Sequence, residues 1–133
     1  MGLNIRVISP DGLVWQQPAL ETILPSTTGQ IGILEGHAPL ITALEIGLLR
    51  IKVEKKWKPL LIFGGFATIK NNDVTVLVSG VEEVVKENYE EAQSLLGQAT
   101  EGLSLAKTIK EKLEASQKLK RAAARLEAYQ FLD

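Results

Sequence analysis

The chain has 133 residues, a net charge of -1, no cysteine and one histidine, His37, which fits one main core with at most a small appended element. With 45% hydrophobic and 23% charged residues it is not a disordered chain, and without cysteine it has neither disulfides nor thiolate chemistry. No overall positive field exists to draw nucleic acid or an anionic membrane surface, and a lone histidine leaves only carboxylates as further metal ligands, which excludes a structural zinc site.

In chain order, the opening MGLNIRVISPDG has too short an apolar run, broken at Pro10, to be a signal peptide. No apolar stretch reaches the roughly 18 residues of a membrane span, so any membrane association is expected through a partner. Strands are predicted at Leu3–Ile8, Leu20–Leu24, Ile31–Leu34, Leu48–Glu54, Pro59–Phe63, Phe66–Lys70, Val74–Ser79 and Val81–Lys86. Leu49, Ile51 and Val53 alternate with Arg50, Lys52 and Glu54, one face for the core and one for water. Val74, Val76 and Val78 alternate with Thr75, Leu77 and Ser79, a second face apolar enough to be covered by another element. Asn71–Asp73 suits a hairpin turn, because Asn and Asp tolerate positive φ. FGGF, residues 63–66, predicts a bend or bulge where another backbone comes close. With no long helix before residue 87, the pattern favours antiparallel sheets packed face to face over a parallel βαβ fold.

The glycines at 29, 32 and 36 lack the spacing of a phosphate loop and no helix follows them, so turn geometry explains them better than anion binding. His37, in GQIGILEGHAPLITALEIG, admits four roles: general base, metal ligand, structural imidazole or partner contact. Catalysis needs an orienting carboxylate and metal binding needs further ligands. Only Glu35 is near in sequence, and no HxH or HExxH spacing occurs.

The five prolines end at Pro59 and nine of the eleven glycines end at Gly80. After Glu87 the chain is rich in Ala, Leu, Glu, Lys and Gln, all strong helix formers. This divides it into 1–87, a β-sandwich, and 88–133, a two-helix hairpin. Asn88 followed by Glu91 reads as an N-cap with its reciprocal acid, opening a helix to about Thr100 that Gly102 and Ser104 close. Ala92, Leu95, Leu96, Ala99 and Leu103 share one face. A second helix runs from about Thr108 to Tyr129, with a broken stripe at Ile109, Leu113, Leu119, Ala122, Ala123, Leu126 and Tyr129. Small alanine side chains bury little apolar surface, so the hairpin is expected to dock weakly. Between Lys107 and Arg125 seven basic residues stand against two acidic ones, a net of +5. Lys118, Arg121 and Arg125 fall at i, i+3 and i+7 and form one basic ridge, either a solvated face or a site for an acidic partner. No aromatic residues are interleaved for stacking, which argues against nucleic acid.

GQIGILEGHAPLITALEIGLLRI, GGFATIKNNDVTVLV and the C-terminal LKRAAARLEA together resemble the epsilon subunit of F-type ATP synthases in its cyanobacterial and plastid form, over essentially the whole chain. The resemblance implies a ten-stranded β-sandwich followed by a helical hairpin. It implies a rotor subunit of the central stalk without catalysis or cofactor of its own, peripheral to the stromal face of the thylakoid membrane or to a bacterial plasma membrane. The partners it implies are the gamma subunit, the c-ring and the alpha and beta catalytic subunits. In that setting Gln30, Glu35 and His37 are c-ring contacts. Glutamine stands at position 30 where some bacterial relatives carry an acid, so Glu35 is the remaining carboxylate. The hairpin is then an inhibitor of ATP hydrolysis that presents Lys118, Arg121 and Arg125 to acidic catalytic subunits. Some bacterial relatives bind ATP through an I-D-x-x-R-A motif; ENYEEA here puts Asn88 for the aspartate and Glu91 for the arginine, which predicts weak or no nucleotide sensing. Two other readings compete with the rotor subunit: a free-standing β-sandwich that binds protein or peptide, and a small hydrolase using Glu35 and His37.

Overall fold

The computed structural model describes residues 2–84 and 88–132. Eight strands come first: β1 (Leu3–Ser9), β2 (Gly12–Ala19), β3 (Glu21–Ser26), β4 (Gly29–Leu34), β5 (Leu40–Val53), β6 (Lys56–Lys70), β7 (Asp73–Val78) and β8 (Val81–Glu82). Two helices follow, α1 (Tyr89–Leu105) and α2 (Ile109–Ala128), with a closing 3-10 turn at Tyr129–Phe131.

The strands hydrogen-bond in the order β2-β1-β7-β6-β5-β3-β4, with β8 also on β6. β5 and β6 form one long hairpin whose pairing is interrupted between Leu44↔Gly65 and Ile46↔Phe63. The hairpin folds there, so its halves belong to opposite layers. Residues 65–70 of β6 pair with β7, and residues 61–62 pair with β8. Counting the halves of β5 and β6 separately turns eight strands into the ten that the resemblance implies. The fold point is FGGF, as its glycines predict: Gly64 and Gly65 have φ of 82° and 146°, and a Cβ on Gly65 would overlap the carbonyl oxygen of Leu77. Asn71 and Asn72, at φ 52° and 67°, make the two-residue turn between β6 and β7.

The core between the layers is built from inward-facing residues of both, among them Leu3, Ile5, Val7, Leu24, Ile33, Leu49, Ile51, Ile62, Ile69, Val74 and Val76. Predicted alternation at 49–51 and 74–78 holds. Several boundaries differ. β2 was not predicted, because most of its residues are exposed and it shows no alternation; it is an edge strand, where Pro18 is tolerated. β5 begins at Leu40 rather than Leu48, its first half being an apolar run without a clean period. The two strands predicted around FGGF are one bent strand. β1 and β7 run parallel, the exception to the antiparallel expectation. The last predicted strand shortens to Val81–Glu82, while Val85, Lys86 and Glu87, with the predicted boundary, lie outside the described residues.

The first layer holds β2, β1, β7 and the halves of β5 and β6 at residues 40–44 and 65–70; the second holds β3, β4, β8 and the halves at residues 46–53 and 56–63, and the hairpin covers the outer face of this second layer. Leu48, Leu61, Val84, Ala124 and Ala128 form a second apolar cluster, edged by Phe63, Tyr129, Phe131 and Leu132. The face carrying Leu77, expected to be covered, is instead open, with Leu77 50% exposed. In α1 the five predicted stripe residues are buried or half-buried, yet the helix runs through Gly102 to Leu105, and Asn88 makes no side-chain cap bond. α2 starts on a complete capping box: Thr108 accepts from the Glu111 backbone N–H, and the Glu111 side chain accepts from the N-cap backbone. Its first turns overhang the sandwich, so Ile109 is 88% exposed, and burial falls on Ala122, Ala124 and Ala128 instead.

Candidate functional site

Gln30, Glu35 and His37 do not share one loop. Gln30 is the second residue of β4, beside the β3–β4 turn. Glu35 and His37 follow the other end of that strand, roughly 13 Å away at about 3.3 Å per residue. The His37 loop is held by backbone: its N–H donates to the Leu34 carbonyl at 3.1 Å, and the Gly36 N–H donates to Asn72 Oδ1 at 2.8 Å. His37 Nδ1 lies 2.6 Å from the Ala38 carbonyl oxygen. A carbonyl only accepts, so Nδ1–H is the donor in this contact. With Nδ1 spent on main chain, the imidazole lacks the orienting carboxylate a general base needs. No cluster of three metal-ligating side chains is found among the described residues. Gly29 and Gly36 have φ of 121° and 86°, the turn geometry expected of them.

The basic ridge does come together. Lys118, Arg121 and Arg125 line one 670 Å³ cleft between α1 and α2, whose apolar wall includes Leu95, Ala99 and Ala122. Two of the three cations are already engaged with the sandwich. Arg125 donates from Nε and Nη2 to the two oxygens of Glu82 on β8, at 2.5 and 3.0 Å, a two-point pairing. That hydrogen bond, more than any other influence, raises the Arg125 guanidinium above its ordinary value. Arg121 lies over the Phe63 ring, 4.6 Å from its centroid. Lys120 reaches Glu45 at 3.9 Å, with both side chains about half exposed, and so contributes little.

Asn88 and Glu91, at the positions aligned with the nucleotide motif, line a smaller 320 Å³ depression together with Glu82, Glu83, Arg125 and Tyr129. Three carboxylates oppose one guanidinium, which is itself bound to Glu82. Phosphate would meet repulsion there.

One surface escaped the sequence reading. Pairing puts Leu13 beside Ile8, Ile8 beside Leu77, Leu77 beside Phe66 and Phe66 beside Ala43, in one row across the outer face of the first layer. Phe66 is 59% and nearby Ile41 76% exposed. The apolar second face of the Val74–Ser79 strand was its only signal. A row of large apolar side chains open to water is the mark of a protein contact.

Residues 2–84 match the family model of the ATP synthase delta/epsilon chain β-sandwich domain. The chain is 58% identical over 132 residues to the chloroplastic ATP synthase epsilon chain of Pylaiella littoralis, covering 99% of this chain and 100% of that one. This chain belongs to the ATP synthase epsilon family. A cyanobacterial epsilon chain, that of Synechococcus elongatus, is 50% identical, with 96% of this chain and 95% of that one covered. Among solved structures, a chain of the Euglena gracilis mitochondrial ATP synthase, in its OSCP/F1/c-ring assembly, has the same fold, with a TM-score of 0.81 at 21% identity over 96% of this chain and 81% of that one. As an epsilon-family chain it is a non-catalytic subunit of an ATP synthase, and no helix among the described residues is long and apolar enough to cross a membrane.

Proposed function

We propose that this epsilon-family chain is a rotor subunit of the central stalk, coupling the gamma subunit to the c-ring and restraining ATP hydrolysis with its hairpin. The observation that carries the reading is how the hairpin is held. α2 meets the sandwich through alanines, the Arg125–Glu82 pair, the half-exposed Lys120–Glu45 pair and the Arg121 cation over the Phe63 ring. Contacts of this size are made and broken at modest cost. Once α2 swings away, Arg121 and Arg125 are released and stand with Lys118 as a basic ridge for acidic segments of the alpha and beta subunits. Glu82 then acts as the internal stand-in for that acidic partner.

In this reading the open apolar row of Leu13, Ile8, Leu77 and Phe66 faces gamma. Gln30, Glu35 and His37 face the c-ring at two separate points. The complex lies at the stromal face of a thylakoid membrane, which this chain reaches only through the ring. The division into a gripping body, 1–87, and a regulatory hairpin, 88–133, gives the test. In a reconstituted complex, removing residues 88–133 is expected to leave gamma binding intact while raising ATP hydrolysis. Unchanged hydrolysis would overturn the inhibitory role. Failure of the full chain to co-elute with purified gamma would instead favour a free-standing binding module.

A further inference from the structure

Three side chains from separate parts of the fold meet on the outer face of the second layer: Gln30 near the start of edge strand β4, Arg50 in β5, and Phe131 in the turn that closes α2. Arg50 Nη2 donates to Gln30 Oε1 at 2.9 Å. The Arg50 guanidinium carbon lies 5.0 Å from the centroid of the Phe131 ring, and its Nε is buried without a hydrogen-bond partner. Below, the Arg50 carbonyl accepts from the hydroxyl of fully buried Thr22 at 2.8 Å. The main chain is pinned there, which leaves the side chain as the movable part.

Chemistry dictates how this group must be oriented. A guanidinium has donors and no acceptor, so Gln30 turns its carbonyl to Arg50 and its NH₂ outward. An unconstrained surface glutamine has no such preference. Phe131 attracts the cation and shields Nε from water. Without the ring, Nε would be hydrated and Arg50 would lose one of the two contacts that fix its rotamer.

We propose that Gln30, Arg50 and Phe131 link the docked hairpin to the edge of the sandwich. With the hairpin docked, Arg50 is held on Gln30, and the edge presents amide N–H and guanidinium donors. Such a surface recognises an acceptor, a carbonyl or carboxylate of a protein partner. With the hairpin undocked, Arg50 leaves Gln30 and the donor surface loses its fixed orientation. Linkage is reciprocal, so an acceptor bound at the edge favours docking. Only the identity of the partner rests on the proposed rotor function; the linkage itself is internal to this chain.

The test uses the isolated full-length chain, with nuclear magnetic resonance of the Gln30 side-chain amide and hydrogen exchange of α2. Phe131→Leu, which keeps bulk but removes the ring, is expected to move the Gln30 amide resonances toward those of a solvent-exposed glutamine; Phe131→Tyr leaves them in place. In the other direction, Arg50→Lys is expected to speed exchange in the last turns of α2 about threefold, and the double variant with Phe131→Leu shifts Gln30 no further. The backbone amides of β1 and β7 report that the sandwich is intact in each variant. Unmoved Gln30 resonances in Phe131→Leu, or an equal shift in the Arg50→Lys background, would overturn the linkage and leave its failure distinct from any failure to bind gamma.

Discussion

Arg125 and Glu82 show how one pair can define a conformational state. The guanidinium is mostly covered and bonded to both carboxylate oxygens, whereas the carboxylate is more than one-third exposed, so water screens the pair and its net worth is about 1 kcal/mol. Glu82→Gln is therefore expected to loosen α2 without unfolding it, read as roughly fivefold faster hydrogen exchange in its second half; unchanged exchange would mean that the apolar contacts alone hold the helix. The pH dependence has a definite sign. Arg125 has its value raised by folding, so its contribution is complete at every pH below the ordinary arginine value and is lost only above the folded one. Docking measured between about pH 6 and 9 should thus be unaffected by Arg125 titration. At the fold point, Gly65→Ala sets a Cβ against the Leu77 carbonyl at a φ of 146°. A loss of at least about 2 kcal/mol is expected, visible as a lowered melting temperature.

Among the elements, those with a strong period or a complete local motif were legible in the sequence. The inward valines of β7, the α1 stripe and a start of α2 near Thr108 belong here, whereas the Asn88–Glu91 cap motif forms no side-chain cap bond and the Thr108–Glu111 box became visible only in the structure. Thr108→Ala should fray the first turn of α2 and cost about 1 kcal/mol, measured as lost helicity by circular dichroism with the sandwich unchanged. Elements set by long-range pairing were not legible. β2 has the exposed pattern of an edge, and its extended form is set by its long-range pairing with β1 and by Trp15 and Ala19 packing on the core. The first half of β5 reads as a featureless apolar run, because the layer change at residues 44–46 interrupts its alternation. The candidate site divides in the same way. The ridge of Lys118, Arg121 and Arg125 follows from helical spacing, but Glu82 and Phe63, which receive two of its members, come from strands at least 43 residues away. The separation of Gln30 from His37, and the apolar row at Leu77 and Phe66, likewise needed strand register to become visible.

At the scale of the whole molecule, the sandwich core is dense in large fully buried side chains, while the hairpin buries alanines. Exchange protection is expected to follow that contrast, with α1 and α2 opening well before β1, β5 and β7. If both parts lost protection together, the hairpin would be no separate moving part. Salt should widen the gap, since the ion pair weakens with ionic strength and the buried core does not. The body itself is joined differently. β5 and β6 run without a break from one layer into the other, so the layers are tied by continuous peptide as well as by side-chain packing. A twisting load applied to one layer passes along covalent chain and main-chain hydrogen bonds, which yield little. Stiffness of this kind suits the proposed rotor role, in which a twist at one layer must reach the other without winding up the body.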